Sequence, residues 1–325
     1  MAQSSGMSNA QPIDREQLID QLEHMKGKVI DPDAGIFGPD SMFWRLGRYS
    51  TAFLGAGRAA LLQNAHPWVA NAIKQHSRTM DDPMSRFRGT FTNVFKMVYG
   101  SLDQVIDSAL RVHHIHTHIQ GEIEENSGAF AKGSRYQANE VNAMIWVHAT
   151  LWETTVKMYE LIIGDLSMAE KEAYYQEAKM FAFLFGIPED DQPPNWQEFL
   201  EYNEQMWNSD VLTVKQASKD ISAFLFTFSR PLVPVLTRYE VFTSMLMPER
   251  LREQYDMPAA TAENQRFFEI TVQRLRRVYP YLPKHLKYLP PYMEAQRRLQ
   301  GKHRPGVITG SLNKLMLGQA RLVSA

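Results

Sequence analysis

Apolar residues recur every three or four positions along most of this chain, and the breaks fall at proline, glycine and capping residues. The spacing predicts a first helix from Asp14 to Lys26 and a second after Gly38-Pro39-Asp40-Ser41. A third runs over Ser50–Ala65 and ends at His66-Pro67, because the residue before a proline is pushed out of the helical region. Further helices are expected over Trp68–Thr79, Met84–Tyr99 and, opened by the capping signature Ser101-Leu102-Asp103-Gln104, from Ser101 to Glu124. A Gly/Ser/Lys loop from Asn126 to Arg135 precedes two long helices, Gln137–Ile163 and Ser167–Phe185, the second stopped by Gly186-Ile187-Pro188. Helices over Trp196–Trp207, Val211–Phe228, Val233–Met247, Pro248–Tyr255 and Ala262–Val278 follow. Pro280, Pro283, Pro290 and Pro291 divide the next stretch, and periodicity is weak after Gln300. There are no alternating β-strand blocks and no internal repeat. The expectation is an all-α fold, one large helical bundle at residues 13–300, with a disordered tail at 1–12 and a C-terminal tail at 301–325.

Composition narrows the function. At 325 residues and 44% apolar content the chain can bury one large core. A net charge of −1 gives no electrostatic reason to expect nucleic acid as a partner. The absence of cysteine removes disulfides, thiolate metal sites, iron–sulfur clusters, a cysteine nucleophile and covalently attached haem. No uncharged apolar run is long enough for a membrane span; the nearest, Ile221 to Met247, is broken by Arg230, Arg238 and Glu240. The start, MAQSSGMSNAQ, has no basic-then-apolar signal pattern, so the reading is cytoplasmic. Seventeen Met and seventeen Phe suit a large apolar interior able to take an apolar ligand.

Candidate chemistry starts with histidine. His113, His114, His116 and His118 share one predicted helix, and its period separates them. His116 falls inside the stripe of Val105, Ala109, Val112, Ile119 and Ile123, His113 on its edge, and His114 and His118 opposite. On the helix Gln137–Ile163, His148 falls on the stripe of Met144, Leu151, Thr155 and Ile162. Two helices therefore each present one histidine inward, which suits a haem with one or two axial imidazoles and equally a polar core pair. A di-iron bundle needs Glu-x-x-His, and no histidine here has Glu three positions before it. His-Glu-x-x-His, Gly-x-Ser-x-Gly, a P-loop and Gly-x-Gly-x-x-Gly are also absent. On the helix after Pro83, Arg86 and Thr90 stand one turn apart beside the apolar face of Phe87, Phe91, Val94 and Val98. A guanidinium and a hydroxyl there could hydrogen-bond oxygen or a haem propionate. A solvated arginine and a threonine bonded to its own backbone is the plainer alternative.

The order of several segments is similar to a known family. Leu61-Leu62-Gln63-Asn64-Ala65-His66-Pro67, His76-Ser77 and Asp82-Pro83-Met84-Ser85-Arg86-Phe87-Arg88-Gly89-Thr90 resemble the bacterial rubber oxygenases, or latex-clearing proteins. That family also includes the membrane-bound fungal oxygenase of mycophenolic acid biosynthesis. His116-Thr117-His118-Ile119-Gln120-Gly121, Trp146-Val147-His148-Ala149-Thr150, Tyr174-Tyr175 and Gly186-Ile187-Pro188 continue the resemblance, which covers roughly residues 38 to 250. It implies an all-α domain enclosing a non-covalent haem b, with His116 as the axial iron ligand and His148 also at the cofactor. Arg86 and Thr90 match the family's distal pair, as catalytic and cofactor-binding residues. Rubber oxygenases carry a lysine immediately before that threonine; Gly89 stands here, which removes lysine ligation at this position. The implied function is a haem-dependent oxygenase acting on an apolar, isoprenoid- or lipid-like small molecule, with dioxygen bound to ferrous haem opposite His116 and an electron donor of unknown identity. The alternatives are a non-catalytic haem or lipid carrier and a haem hydroxylase or peroxidase-like enzyme.

Overall fold

In the computed structural model, which describes residues 13–27, 29–77, 82–227 and 232–322, many of the helices start at a residue whose side chain caps them. The expected tail at 1–12 and the helix ends expected at Thr79 and Phe228 lie outside those residues. Asp14 caps α1 (Arg15–Lys26) through a capping box with Gln17, and Ser41 caps α2 (Met42–Gly47). The stretch expected as one helix over Ser50–Ala65 is a 3-10 turn, Ser50–Gly55, followed by α3 (Ala56–Asn64). The change comes at Gly55, where a Cβ would lie 2.5 Å from the Thr154 methyl, so the backbone itself packs against the neighbouring helix. His66 then caps α4 (Pro67–His76), its ring accepting the Trp68 N–H at 3.3 Å.

The middle of the chain holds the structural centre. Antiparallel packing joins α5 (Pro83–Tyr99) to α6 (Leu102–Thr117), and Gln104 accepts the Ser101 N–H at 3.2 Å as the capping signature predicts. Two corrections follow. First, α6 stops at Thr117 rather than Glu124, and the chain enters a short antiparallel hairpin, β1 (Gln120–Glu122) with β2 (Arg135–Gln137). Thr117 donates its hydroxyl, and His118 its Nδ1–H, to the His114 carbonyl at 2.7 Å each, satisfying an acceptor that the helix end leaves free. Second, α7 (Val141–Ile162) begins four residues later than Gln137, capped by Glu140, because β2 takes up the intervening chain.

Helices α8 (Met168–Phe183) and α13 (Ala262–Val278) pack against α7, and between them in the chain lie α9 (Trp196–Asn208), α10 (Gln216–Thr227), α11 (Val233–Leu246) and α12 (Glu249–Gln254). Then come α14 (Lys284–Lys287), α15 (Pro290–Leu299) and α16 (Val307–Leu317). The C-terminal stretch, expected as a tail, thus contains α16, whose fully buried Asn313 donates to buried Glu294 of α15. Glycine, threonine and serine break up its apolar spacing, which is why the pattern failed there. With sixteen helices and one three-residue hairpin among the described residues, the chain is all-α. A continuous core runs through it, centred on Trp44, Leu61, Trp146, Tyr175 and Phe199. Arg58 of α3 lies inside that core. It donates to the Leu246 carbonyl at 2.8 Å, to Thr154 at 2.6 Å and to the Glu153 carboxylate, linking α3, α7 and α11.

Candidate functional site

His116 sits in the last turn of α6, at the point where the helix gives way to the hairpin. The turn holds because β1 crosses close to α4: a Cβ on Gly121 would lie 2.4 Å from Gln75 Oε1 and 2.6 Å from the Tyr136 hydroxyl. A side chain there would have to displace the ends of Gln75 and Tyr136, so the glycine lets β1 pass close to both just after the helix that carries His116. Its ring is half-buried and makes no hydrogen bond among the described residues. Burial lowers its pKa to about 4, and the nearby His148, Arg86 and His113 add to the effect. A ring that keeps accessible surface while densely surrounded by protein lines a recess rather than a convex face.

His148, on α7, is 3% exposed, and burial lowers its pKa to about 4 as well. Its Nδ1–H donates to the Met144 carbonyl one turn back at 2.7 Å, which fixes the tautomer and leaves the Nε2 lone pair free. Both imidazoles face one phenylalanine: Phe185 lies 4.5 Å from the His148 ring and 6.4 Å from the His116 ring, centre to centre. Phe181 and Trp152 complete the surround of His148. Phe185 is held by the turn after α8, where Gly186 adopts a left-handed φ of +82°, which side chains disfavour. The other histidines of α6 divide only in part as the helical period predicts, since His113, expected at the edge of the apolar stripe, is more buried than His116. His114 and His118 are exposed and meet edge to face, while buried His113 donates from Nε2 to the Ile13 carbonyl at 3.0 Å.

Arg86 and Thr90 meet as their spacing predicts. The Arg86 Nη1–H donates to the Thr90 hydroxyl, which in turn donates to the Arg86 carbonyl at 3.1 Å. That second bond is the plainer reading of the threonine, and it is present. Thr90 therefore spends its own proton within the helix and acts by holding the guanidinium. From the other side Ser77 accepts the Arg86 Nε–H at 3.0 Å. Arg86 is exposed, yet the protein around it lowers its pKa and its charge is felt at His116, which sets it at the rim of the recess. Arg86, Thr90, His116 and His148 thus belong to one neighbourhood.

Sequence reasoning passed over the role of Ser77 and of the Phe181–Phe185 pair. The pair was legible as aromatic residues one turn apart before the Gly186-Ile187-Pro188 stop. Ser77 carries no local signal, because its partner lies nine positions away across a break. A separate cavity of about 550 Å³ lies beside the hairpin, lined by Trp68, Glu122, Arg135, Tyr136, Gln137 and Glu140 among others. It includes none of the four site residues, and the histidine recess, walled by Phe181, Phe185 and Trp152, is the better candidate for an apolar ligand.

No solved structure matches this chain. Among curated proteins it is 28% identical over 136 residues to the uncharacterized protein Mb2261 of Mycobacterium bovis and, to the same extent, to the uncharacterized protein Rv2237 of Mycobacterium tuberculosis. The match covers 41% of this chain and 52% of either relative, so the chain spans about half the length of the curated relatives it matches. The family model described as ER-bound oxygenase mpaB/B'/Rubber oxygenase, catalytic domain, matches residues 44–278, a span that holds all four site residues and most of the core. This chain belongs to the mpaB and rubber oxygenase catalytic-domain family.

Proposed function

We propose that this protein is a haem b-dependent oxygenase acting on an apolar small molecule of isoprenoid or lipid type, with His116 as the axial ligand. The observation that carries the reading is the pair of neighbouring, neutral imidazoles in an aromatic recess. Among the described residues no group of three His, Asp or Glu converges as a bare metal ion would require. A porphyrin brings four nitrogens of its own, so one or two protein imidazoles suffice, and the donor set present fits that need. When bound, haem b would supply a redox-active iron able to activate dioxygen.

What the chain contributes follows from its own residues. His116 is held neutral with its ring nitrogens unengaged, so no proton has to be displaced before it can ligate at neutral pH. His148, with Nδ1 tied to Met144, keeps Nε2 available toward the same recess as a second ligand or a polar contact. Arg86 is braced by Ser77 and Thr90 and retains further N–H donors beyond those two bonds. A guanidinium fixed in a recess stabilises negative charge that builds there, on reduced oxygen or on a carboxylate of the cofactor, more strongly than it could in water. Phe185, Phe181 and Trp152 exclude water and offer an apolar surface to a hydrocarbon substrate.

The test is chemical. Protein produced with ample iron and haem precursor is expected to be red-brown, to give a b-type pyridine haemochrome, and to consume oxygen steadily with a reductant and an apolar substrate. Colourless, active protein with stoichiometric zinc or non-haem iron would overturn the proposal. Haem without oxygen uptake would reduce it to a carrier.

A further inference from the structure

The outward face of a surface helix is normally polar, and α16 reverses the rule. Val307, Ile308 and Leu315 lie within one arc of its surface, about 100° wide by helical geometry, and are 88%, 56% and 72% exposed. The opposite arc, with Thr309, Asn313 and Leu317, is the one packed against the protein. At the C-terminal end of α16, Arg88 of α5 donates to the Leu315 carbonyl at 3.3 Å, which brings exposed Met84, one turn before Arg88, toward the same patch. Apolar surface left outside on a packed helix marks an interaction site.

Charge indicates what covers it. From Ala295 to Leu322 the chain contains Arg297, Arg298, Lys302, Arg304, Lys314 and Arg321 and no aspartate or glutamate, in a protein whose net charge is −1. The last carboxylate before this stretch, Glu294, is buried beneath it and bonded to Asn313 and to the Leu322 N–H. Helix α5, on the other side, carries no acidic residue either. Asp31 and Asp33 lie near Arg298 only, and that arginine is already tied to the Asp33 and Tyr99 carbonyls. Lys302, His303 and Arg304 are exposed directly before Val307, and Lys314 is exposed at the edge of the apolar arc. A second copy of this chain would bring two acid-free faces together, so self-association through this patch is opposed by like charge.

We infer that α16 is an interfacial helix by which the protein docks on an anionic lipid surface. Val307, Ile308 and Leu315 enter the boundary of the acyl layer, and Lys302, Arg304 and Lys314 meet the headgroups. Docking stands apart from the haem reading. Its consequence for substrate supply rests on that reading: the lipid face adjoins the start of the helix that carries Arg86 and Thr90, where an apolar molecule could pass from membrane to site.

Vesicle flotation of the full chain tests the proposal. The protein should float with phosphatidylglycerol–phosphatidylcholine vesicles at low salt and much less with pure phosphatidylcholine. The variants Val307→Ser/Ile308→Ser/Leu315→Ser and Lys302→Glu/Arg304→Glu/Lys314→Glu change exposed side chains, so both should keep wild-type melting temperature and any haem spectrum. Each should lose vesicle affinity by about tenfold or more. Three results would overturn it: no flotation with anionic vesicles, flotation unchanged in both variants, or a concentration-dependent dimer that the serine variant abolishes while vesicles bind nothing. A colourless protein that still floats would sink the haem reading and leave this one standing.

Discussion

At the scale of single residues, helical period separated the histidines in part: His113, expected at the edge of its stripe, is buried, and His116, expected inside it, is half-buried. His114 and His118 were expected in solvent and are there; His116 and His148 were expected inward and share a recess. Leu151 was expected on the His148 stripe, yet it is 38% exposed. What the sequence could not reveal is how Thr90 spends its hydrogen bonds. Its hydroxyl donates to the Arg86 carbonyl and accepts from the guanidinium; under the proposed function it is a positioning residue, and Arg86 is the one that would meet the developing charge. Arg86→Ala should therefore lower turnover by about a hundredfold or more with haem content per chain retained. Thr90→Val should lower it less, and Thr90→Ser, which keeps the hydroxyl, should restore it. If Arg86→Ala instead loses haem while turnover per remaining haem is unchanged, the guanidinium serves the propionate. Equal losses in Thr90→Ser and Thr90→Val would remove the positioning role.

At the scale of elements, the helix starts were legible because capping residues announce them, and the failures fall where tertiary contacts decide. The stripe through Ile119 and Ile123 correctly marked buried positions, Ile123 above all, but a hairpin rather than a helix buries them. Period alone cannot distinguish the two over six residues, and the close approach at Gly121 involves Gln75, far back in the chain. A second tertiary device is the buried Arg58–Glu153 pair joining α3, α7 and α11. Two charges taken out of water together are held by their mutual bonds, so removing one strands the other. Glu153→Leu should cost about 3–5 kcal/mol in denaturant unfolding, and the double change Arg58→Met/Glu153→Leu should recover much of that loss. A Glu153→Leu protein as stable as wild type would show that the pair contributes little.

At the scale of the whole molecule, the all-α class was visible in the spacing, whereas the enclosure of a cofactor is a matter of how distant helices meet and stays a proposal. Among the described residues no helix is long and apolar enough to cross a membrane. One global property follows from the buried histidines. His66, His116 and His148 have pKa values lowered by burial to about 3, 4 and 4, below the ordinary value of 6.5. Below pH 6.5 the unfolded chain binds protons that the folded chain refuses, so their contribution to stability is whole above pH 6.5 and is lost as pH falls from there toward 4. The loss approaches about 1.4 kcal/mol per pH unit for each such group. Glu177 and Glu240, whose carboxyl pKa values burial raises, act in the opposite sense. His66→Asn, which keeps a capping acceptor for α4, isolates one histidine and should flatten the urea-midpoint profile between pH 6.5 and 5; an unchanged slope would contradict the assignment. The central claim, that the recess of His116 binds haem b, is tested most directly by optical titration of the apoprotein with haemin. Saturation at one haem per chain with a sharp Soret band is predicted for wild type, His114→Ala and His118→Ala, and loss of tight binding or a changed spin state for His116→Ala. An identical spectrum and stoichiometry in His116→Ala, or no saturable Soret band in wild type, would contradict it.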